Sequence, residues 1–283
     1  MSDVLPVLLS AVVIMTPLLL AATGGLFTEL SGRLNIALEG QLLVGAFFAM
    51  LAAHLTGSFA AGLFAAVLAS GALAALVDFA ARRLRSNAFI AGLAANLLAG
   101  GLTVVLSQRF FGTRGVFALG DFRPLPRAFG LDAYVYAAWA LLFLAWAAIF
   151  RTPFGYRLRA CGRGAEALAS LGARPDAYRG AAFLVSGLFC GIGGSLLSLR
   201  LGGFVPGMAA GRGWIALVVI FLGARRPLGL LAAAFAFGLA EALSNYAQGF
   251  DAPADLVLAA PYAVTLLAMA LASARAKRKG GVM

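Results

Sequence analysis

Two carboxylates, Glu39 and Glu241, lie well inside apolar runs, where an ionised group is expensive unless it faces protein or water. Around them stand amides and phenols that can donate and accept hydrogen bonds: Asn35, Gln41, Asn96, Asn245, Tyr246 and Tyr262. Phe204 and Trp214 add aromatic faces beside a stretch crowded with glycine, Gly202 to Gly213. Amide, carboxylate and aromatic groups together suit the hydroxyls and the flat ring of a polar solute better than they suit bond-making chemistry. Each also has a structural alternative: Glu39 would cap a broken helix or pair with Arg33, and Asn96 would bond a neighbouring helix.

Other chemistry finds little support. There is one histidine, His54, near the end of an apolar run, and neither a G-x-S-x-G nor an H-E-x-x-H sequence occurs. A phosphate-binding loop needs a lysine behind its glycines, yet the only lysines are Lys277 and Lys279 in the tail. No metal or organic cofactor is implied. Cys161 and Cys190 fall in a basic loop and an apolar run, which offers no disulfide framework.

The elements that must position these groups follow from composition. Of 283 residues 62% are hydrophobic and 12% charged, against roughly 45–50% and 25% in soluble domains. That excludes an ordinary soluble enzyme. The net charge of +11 arises from short basic clusters between apolar runs, a pattern of membrane-flanking loops rather than of a nucleic-acid surface. At about 20 residues per span, the runs predict an all-α polytopic membrane protein, a single transmembrane domain over 1–283. Nine segments stand out, at 5–27, 36–54, 57–81, 88–107, 133–150, 181–199, 214–223, 228–246 and 255–273; the uncertainty in joining or splitting them spans eight to ten. No basic residue precedes the first run, so it reads as a retained helix and not a cleaved leader.

Placing Arg33, the clusters at 82–85, 151–179 and 225–226, and the tail 275–279 on the cytoplasmic side gives 16 positive charges inside and 6 outside. The amino terminus is then outside and the carboxyl terminus inside. Segments 27–41 and 202–213 break the plain pattern: the charges and amides of the first must face protein or water, and the glycines and Pro206 of the second predict a discontinuous or re-entrant helix. They also resemble each other: Ser31-Gly32-Arg33-Leu34-Asn35-Ile36-Ala37-Leu38 aligns with Ala210-Gly211-Arg212-Gly213-Trp214-Ile215-Ala216-Leu217. If spans one to four match spans six to nine, the odd offset makes the repeat inverted.

The run Gly155-Tyr156-Arg157-Leu158-Arg159-Ala160-Cys161-Gly162, followed by Glu166-Ala167 and Gly172, resembles the coupling loop of ATP-binding-cassette importer permeases of the branched-chain amino acid, ribose and nucleoside group. Matches elsewhere are Leu34-Asn35-Ile36 with Glu39-Gly40, Asn96, Ser186-Gly187 with Gly191 and Gly194, Phe204-Val205-Pro206-Gly207-Met208 with Gly211-Arg212-Gly213, and Pro261-Tyr262. The form is most similar to the smaller permease of a nucleoside or simple-sugar importer. The resemblance implies alternating access driven by a cytoplasmic cassette ATPase, a second permease that is a copy or a paralogue, and an extracytoplasmic binding lipoprotein docking on the outer loop 108–132. A substrate path of Asn35, Glu39, Asn96, Phe204, Trp214, Glu241 and Asn245 is expected in the cytoplasmic (inner) membrane. ATPase coupling is expected through Arg159, Gly162, Ala165, Glu166, Ala167, Leu168 and Gly172 in the loop 151–180. There the residues Ala165, Leu168, Ala169 and Gly172 recur at helical spacing as a small apolar stripe that would enter a groove of the ATPase. The family's Asn-Pro before the glutamate is replaced by Gly164-Ala165, which weakens the helix start. A self-sufficient secondary transporter or channel remains the alternative, since an inverted repeat serves either.

Overall fold

In the computed structural model the described residues are 4–119, 127–128 and 131–247. They form ten helices: α1 (Val4–Leu30), α2 (Leu38–Thr56), α3 (Phe59–Arg83), α4 (Ala88–Phe111), α5 (Ala133–Arg151), α6 (Pro153–Arg163), α7 (Ala165–Ser170), α8 (Pro175–Leu201), α9 (Arg212–Leu222) and α10 (Pro227–Ala247). Seven are long and apolar enough to cross a membrane, and α9 is a shorter apolar helix. Eight of the nine expected segments are thereby found as helices. The ninth, 255–273, and Pro261-Tyr262 lie outside the described residues, as do Arg123 and most of the stretch 120–130 within the loop 108–132.

Local chemistry sets the helix ends. The Ser58 hydroxyl accepts from the Ala61 amide at the start of α3, Asn87 accepts from Phe89 at the start of α4, and Thr152 accepts from Gly155 at the start of α6, where Pro153 occupies the first turn. Four two-residue strands tie down the loops: β1 (Phe117–Ala118) pairs antiparallel with β4 (Gly203–Phe204), and β2 (Arg127–Ala128) with β3 (Leu131–Asp132).

At the centre of the bundle stands α8, and its glycines let three helices approach. A Cβ on Gly187 would lie 2.8 Å from the Gly71 backbone, and one on Gly191 2.7 Å from Val67, both on α3. Gly187 and Gly191, spaced as G-x-x-x-G, thus serve close helix contact against α3. Gly193 meets the Pro17 carbonyl and Gly24 meets Ser186, so α1 and α8 run antiparallel. Conversely Gly45 meets Gly191 while Gln41 meets Ser186, so α2 runs parallel to α8.

The packing is reciprocal. Helix α1 lies mainly against α8, α9 and α10, while α8 lies mainly against α1, α2 and α3. Each long helix therefore packs on the two helices that follow its counterpart. Antiparallel counterparts with exchanged partners are the arrangement an inverted repeat of α1–α3 and α8–α10 produces.

Both breaks enter the bundle. After α1, Gly32 adopts a φ of 80° beside Gly162 of α6, and the chain then climbs to Leu38, which touches Gly25 one turn inside α1. After α8, residues 202–211 descend from the opposite end, and α9 starts with Arg212 beside Pro17, midway along α1. With 11 residues α9 is about 16 Å long, half of a bilayer core. The segment expected at 214–223 is therefore a half-length helix that follows irregular chain rich in glycine and proline.

Candidate functional site

The two breaks meet at one carboxylate. Glu39, in the first turn of α2, accepts from the Gly211 amide at 2.8 Å and the Gly213 amide at 2.7 Å. These are orphan donors at the start of α9, and the position is favourable for a negative charge because two helix N-termini, α2 and α9, converge on it. Gly213 can be nothing larger, since a Cβ there would overlap the Glu39 backbone. Of the two structural alternatives for Glu39 the cap is realised; Arg33 pairs instead with Asp78 at 3.7 Å and Asp176 at 3.9 Å.

Asn96 of α4 braces the first break from the side. Its amide nitrogen donates to the Ile36 carbonyl at 3.0 Å and its oxygen accepts from the Gly40 amide at 2.8 Å. Asn35, fully buried, donates to Gln41 Oε1 at 3.1 Å and Ser186 Oγ at 2.9 Å while its own oxygen accepts from the Ala37 amide. In this conformation both asparagines are occupied by the protein. Phe204 is likewise wholly buried, its ring edge-on to Phe47 at 5.2 Å and its backbone paired to Phe117. Of the two aromatic residues expected beside the break, Phe204 is core, whereas Trp214 is 41% exposed on α9. Bulk beside a glycine-rich break was needed to fill the space that the glycines leave.

Polar groups with room beside them lie at the other end. Two adjoining cavities, of about 480 and 520 Å³, share Ile14 and Arg200 between α1, α8 and α10. Ser10, Asn245 and Tyr246 line the first, Met208 and Arg212 the second. Arg212 is held at 2.7 Å by Glu241, and Arg200 at 3.0 Å by Asp132. Thus Asn245 shares a cavity with Arg200 and Ser10, which the sequence did not single out, and Glu241 reaches the second cavity through Arg212. Arg200 follows an apolar run, where an arginine reads as ordinary loop charge.

A third cluster was missed outright. Asp78, inside the segment 57–81, is 4% exposed and bound by Arg82 at 3.0 Å as well as by Arg33. Arg33 and Arg179 both reach Asp176 at the start of α8. The signal was an acidic residue one turn before the paired Arg82-Arg83.

The expected coupling loop is mostly helical. Arg159 stacks over Phe150 and Tyr156 at 4.8 and 4.9 Å. Gly162 abuts Gly32 so closely that a Cβ would overlap the Leu30 carbonyl, which joins the loop to the first break. Cys161 is buried, its thiol 3.6 Å from the Pro175 carbonyl, and burial pushes that thiol up from its ordinary value. The helix α7 forms over six residues without a side-chain cap at Gly164, and Gly172 ends the loop turn with a φ of 80°. Within the expected stripe, Leu168 points into the protein and is only 6% exposed, whereas Ala165 is half-buried and Ala169 and Gly172 are exposed. Glu166, Ala167, Ser170 and Leu171 are exposed as well; Leu168 turns inward because a six-residue helix needs its one large apolar side chain as its own anchor.

The sequence comparisons agree with this architecture. The family described as branched-chain amino acid transport system / permease component matches residues 7–270. The guanosine ABC transporter permease protein NupQ of Bacillus subtilis is 34% identical over 278 residues, 89% of this chain and 87% of that protein. The nucleoside ABC transporter permease protein NupC of Lactococcus lactis is 32% identical, over 90% of this chain and 88% of that protein. With discontinuous helices joined at Glu39, and a match along nearly its whole length, the chain belongs to the branched-chain amino acid transport system permease family of ABC transporters.

Proposed function

We propose that this chain is the nucleoside-translocating permease of an ATP-driven importer. The observation that carries the reading is the meeting of two re-entrant helix starts at Glu39, beside cavities that present an amide, a hydroxyl, a phenol and two guanidinium groups. Asn245 and Ser10 suit ribose hydroxyls, and Tyr246 and the exposed Trp214 suit a base. Glu39, Asn35 and Asn96 hold the break that shapes the path, and Phe204 seals it; Glu241 fixes Arg212 at the cavity wall. The similarity to guanosine and nucleoside permeases supports the same solute class.

In this reading the chain lies in the cytoplasmic membrane with its amino terminus outside. Residues 151–180 face a cassette ATPase, with Arg159 and Gly162 bracing Ala165, Glu166, Ala167 and Gly172 and with Leu168 as anchor. A second permease completes the translocation path, and a binding lipoprotein approaches from the outer loop. The test is uptake of radiolabelled guanosine, uridine, ribose and glucose by cells with and without this gene. Nucleoside uptake that disappears on deletion and returns with the gene supports the reading; loss of sugar uptake alone refutes it.

A further inference from the structure

Outside the translocation path, one groove on the surface of the bundle has a built-in polarity. It lies between α5 and α10, with a volume of about 380 Å³, and is lined by Trp139, Leu142, Phe143 and Trp146 from α5 and by Pro227, Leu228 and Leu231 from α10. Residues 139, 142, 143 and 146 recur at helical spacing, so one face of α5 forms a wall about 10 Å long. Every lining side chain is apolar, and Leu228 and Phe143 are 79% and 64% exposed.

Both helices put an arginine at the same end of this groove. On α5 the Arg151 guanidinium lies 5.1 Å from the Trp146 ring, and on α10 Arg226 immediately precedes Pro227. The neighbouring Arg225 is neutralised by Glu29 at 2.8 Å, whereas Arg151 and Arg226 join no ion pair among the described residues. The groove therefore ends in two uncompensated positive charges where the spanning helices end.

We propose that this groove binds an anionic phospholipid, with an acyl chain along Trp139, Phe143 and Leu228 and the headgroup phosphate between Arg151 and Arg226. Guanidinium groups take phosphate oxygens in paired hydrogen bonds, and basic clusters where helices leave the membrane select anionic headgroups. A helix of another permease fits less well. Helix pairs in lipid favour small residues that let backbones approach, and this wall is built of tryptophan, phenylalanine and leucine. The assignment is independent of which solute the permease carries.

The chain has three tryptophans, two of them in the groove. In full-length Trp214→Phe protein in phosphatidylcholine vesicles, emission then comes from Trp139 and Trp146 alone. Phosphatidylglycerol brominated on its chains should quench it at about tenfold lower mole fraction than brominated phosphatidylcholine. Arg151→Gln with Arg226→Gln should bring the two lipids together without reducing maximal quenching. In the protein with both arginines, 1 M salt should remove the preference, so the proposal stays testable if the double variant does not fold. Equal quenching by both lipids at low salt overturns it in favour of unselective surrounding lipid. Quenching by neither overturns it in favour of a covering helix, from residues 255–273 or a second permease. A preference that survives both the substitutions and high salt overturns the role of the arginines.

Discussion

Arg33 and Arg212 stand in corresponding places in the two antiparallel halves of the bundle. Each follows a glycine with a φ of 80°, Gly32 and Gly211. Each reaches a carboxylate on the third helix of its own half, Asp78 of α3 at 3.7 Å and Glu241 of α10 at 2.7 Å. Since α1 and α8 run antiparallel, one pair lies beside the loop 151–180 and the other beside the two cavities that Arg200 lines. A mechanism that opens one end while closing the other can use the two pairs in turn, which makes each a place to intervene.

Glu241→Gln leaves Arg212 without its partner in a half-buried setting. Uptake is expected to fall severalfold, with a loss of stability of about 1 kcal/mol. Arg212→Gln with Glu241→Gln should be more stable than Glu241→Gln alone, because it strands no charge. Thermal unfolding of the three variants together with uptake checks this. Additive losses would show that the pair is not coupled.

Glu39→Gln keeps the shape of the cap but removes its charge and one of two acceptors facing Gly211 and Gly213. A loss of about 2 kcal/mol is expected, together with loss of uptake, since the start of α9 is released. An unchanged melting midpoint would refute the role of Glu39 as the joint between the breaks.

Asn96→Leu removes both the donor to Ile36 and the acceptor for Gly40. Uptake should drop severalfold while substrate binding by the soluble receptor is spared. Asn96→Asp keeps the acceptor alone and should fall between wild type and Asn96→Leu. The same loss in both would place the essential bond at Ile36, and no loss in either would remove Asn96 from the path's framework.

These roles show where the sequence was informative. Charges and glycines inside apolar runs are costly in lipid, so segments 27–41 and 202–213 announced their breaks without any contact being known. What Asn35 and Asn96 bind could not be read in the same way, because an amide that clamps backbone and an amide that greets solute have the same composition. The depth of Asp78 was hidden for a related reason. Arg82 one turn later looked like ordinary loop charge, and only the approach of Arg33 from another segment makes the carboxylate an internal one. In α7 the period was legible but not its direction, since a stripe that anchors a helix and a stripe that docks a partner have the same spacing.

The basic clusters predict termini on opposite sides of the membrane, with the amino terminus outside. Reporter fusions at residue 1 and after residue 283 measure this. Both termini on one side would mean that one of the discontinuous segments does not complete its crossing.

Coupling gives the sharpest contrast between neighbouring positions. Ala167 is exposed and Leu168 is buried, so the two should fail in different ways. Ala167→Arg adds a large charge to the outward face, at little cost to folding but at a few kcal/mol to docking in an apolar groove. Uptake should vanish while the protein stays in the membrane. Leu168→Ala instead removes the anchor, with about 2 kcal/mol lost, and should weaken uptake together with thermal stability. Gly162→Ala tests the next link. Its added methyl has no room against Leu30 and Gly32, so α6 must shift away from the end of α1. ATP hydrolysis by the assembled transporter should then continue while uptake falls, because the stroke no longer reaches the break held by Glu39. If hydrolysis and uptake fell in parallel in Gly162→Ala, the contact would serve assembly and not transmission.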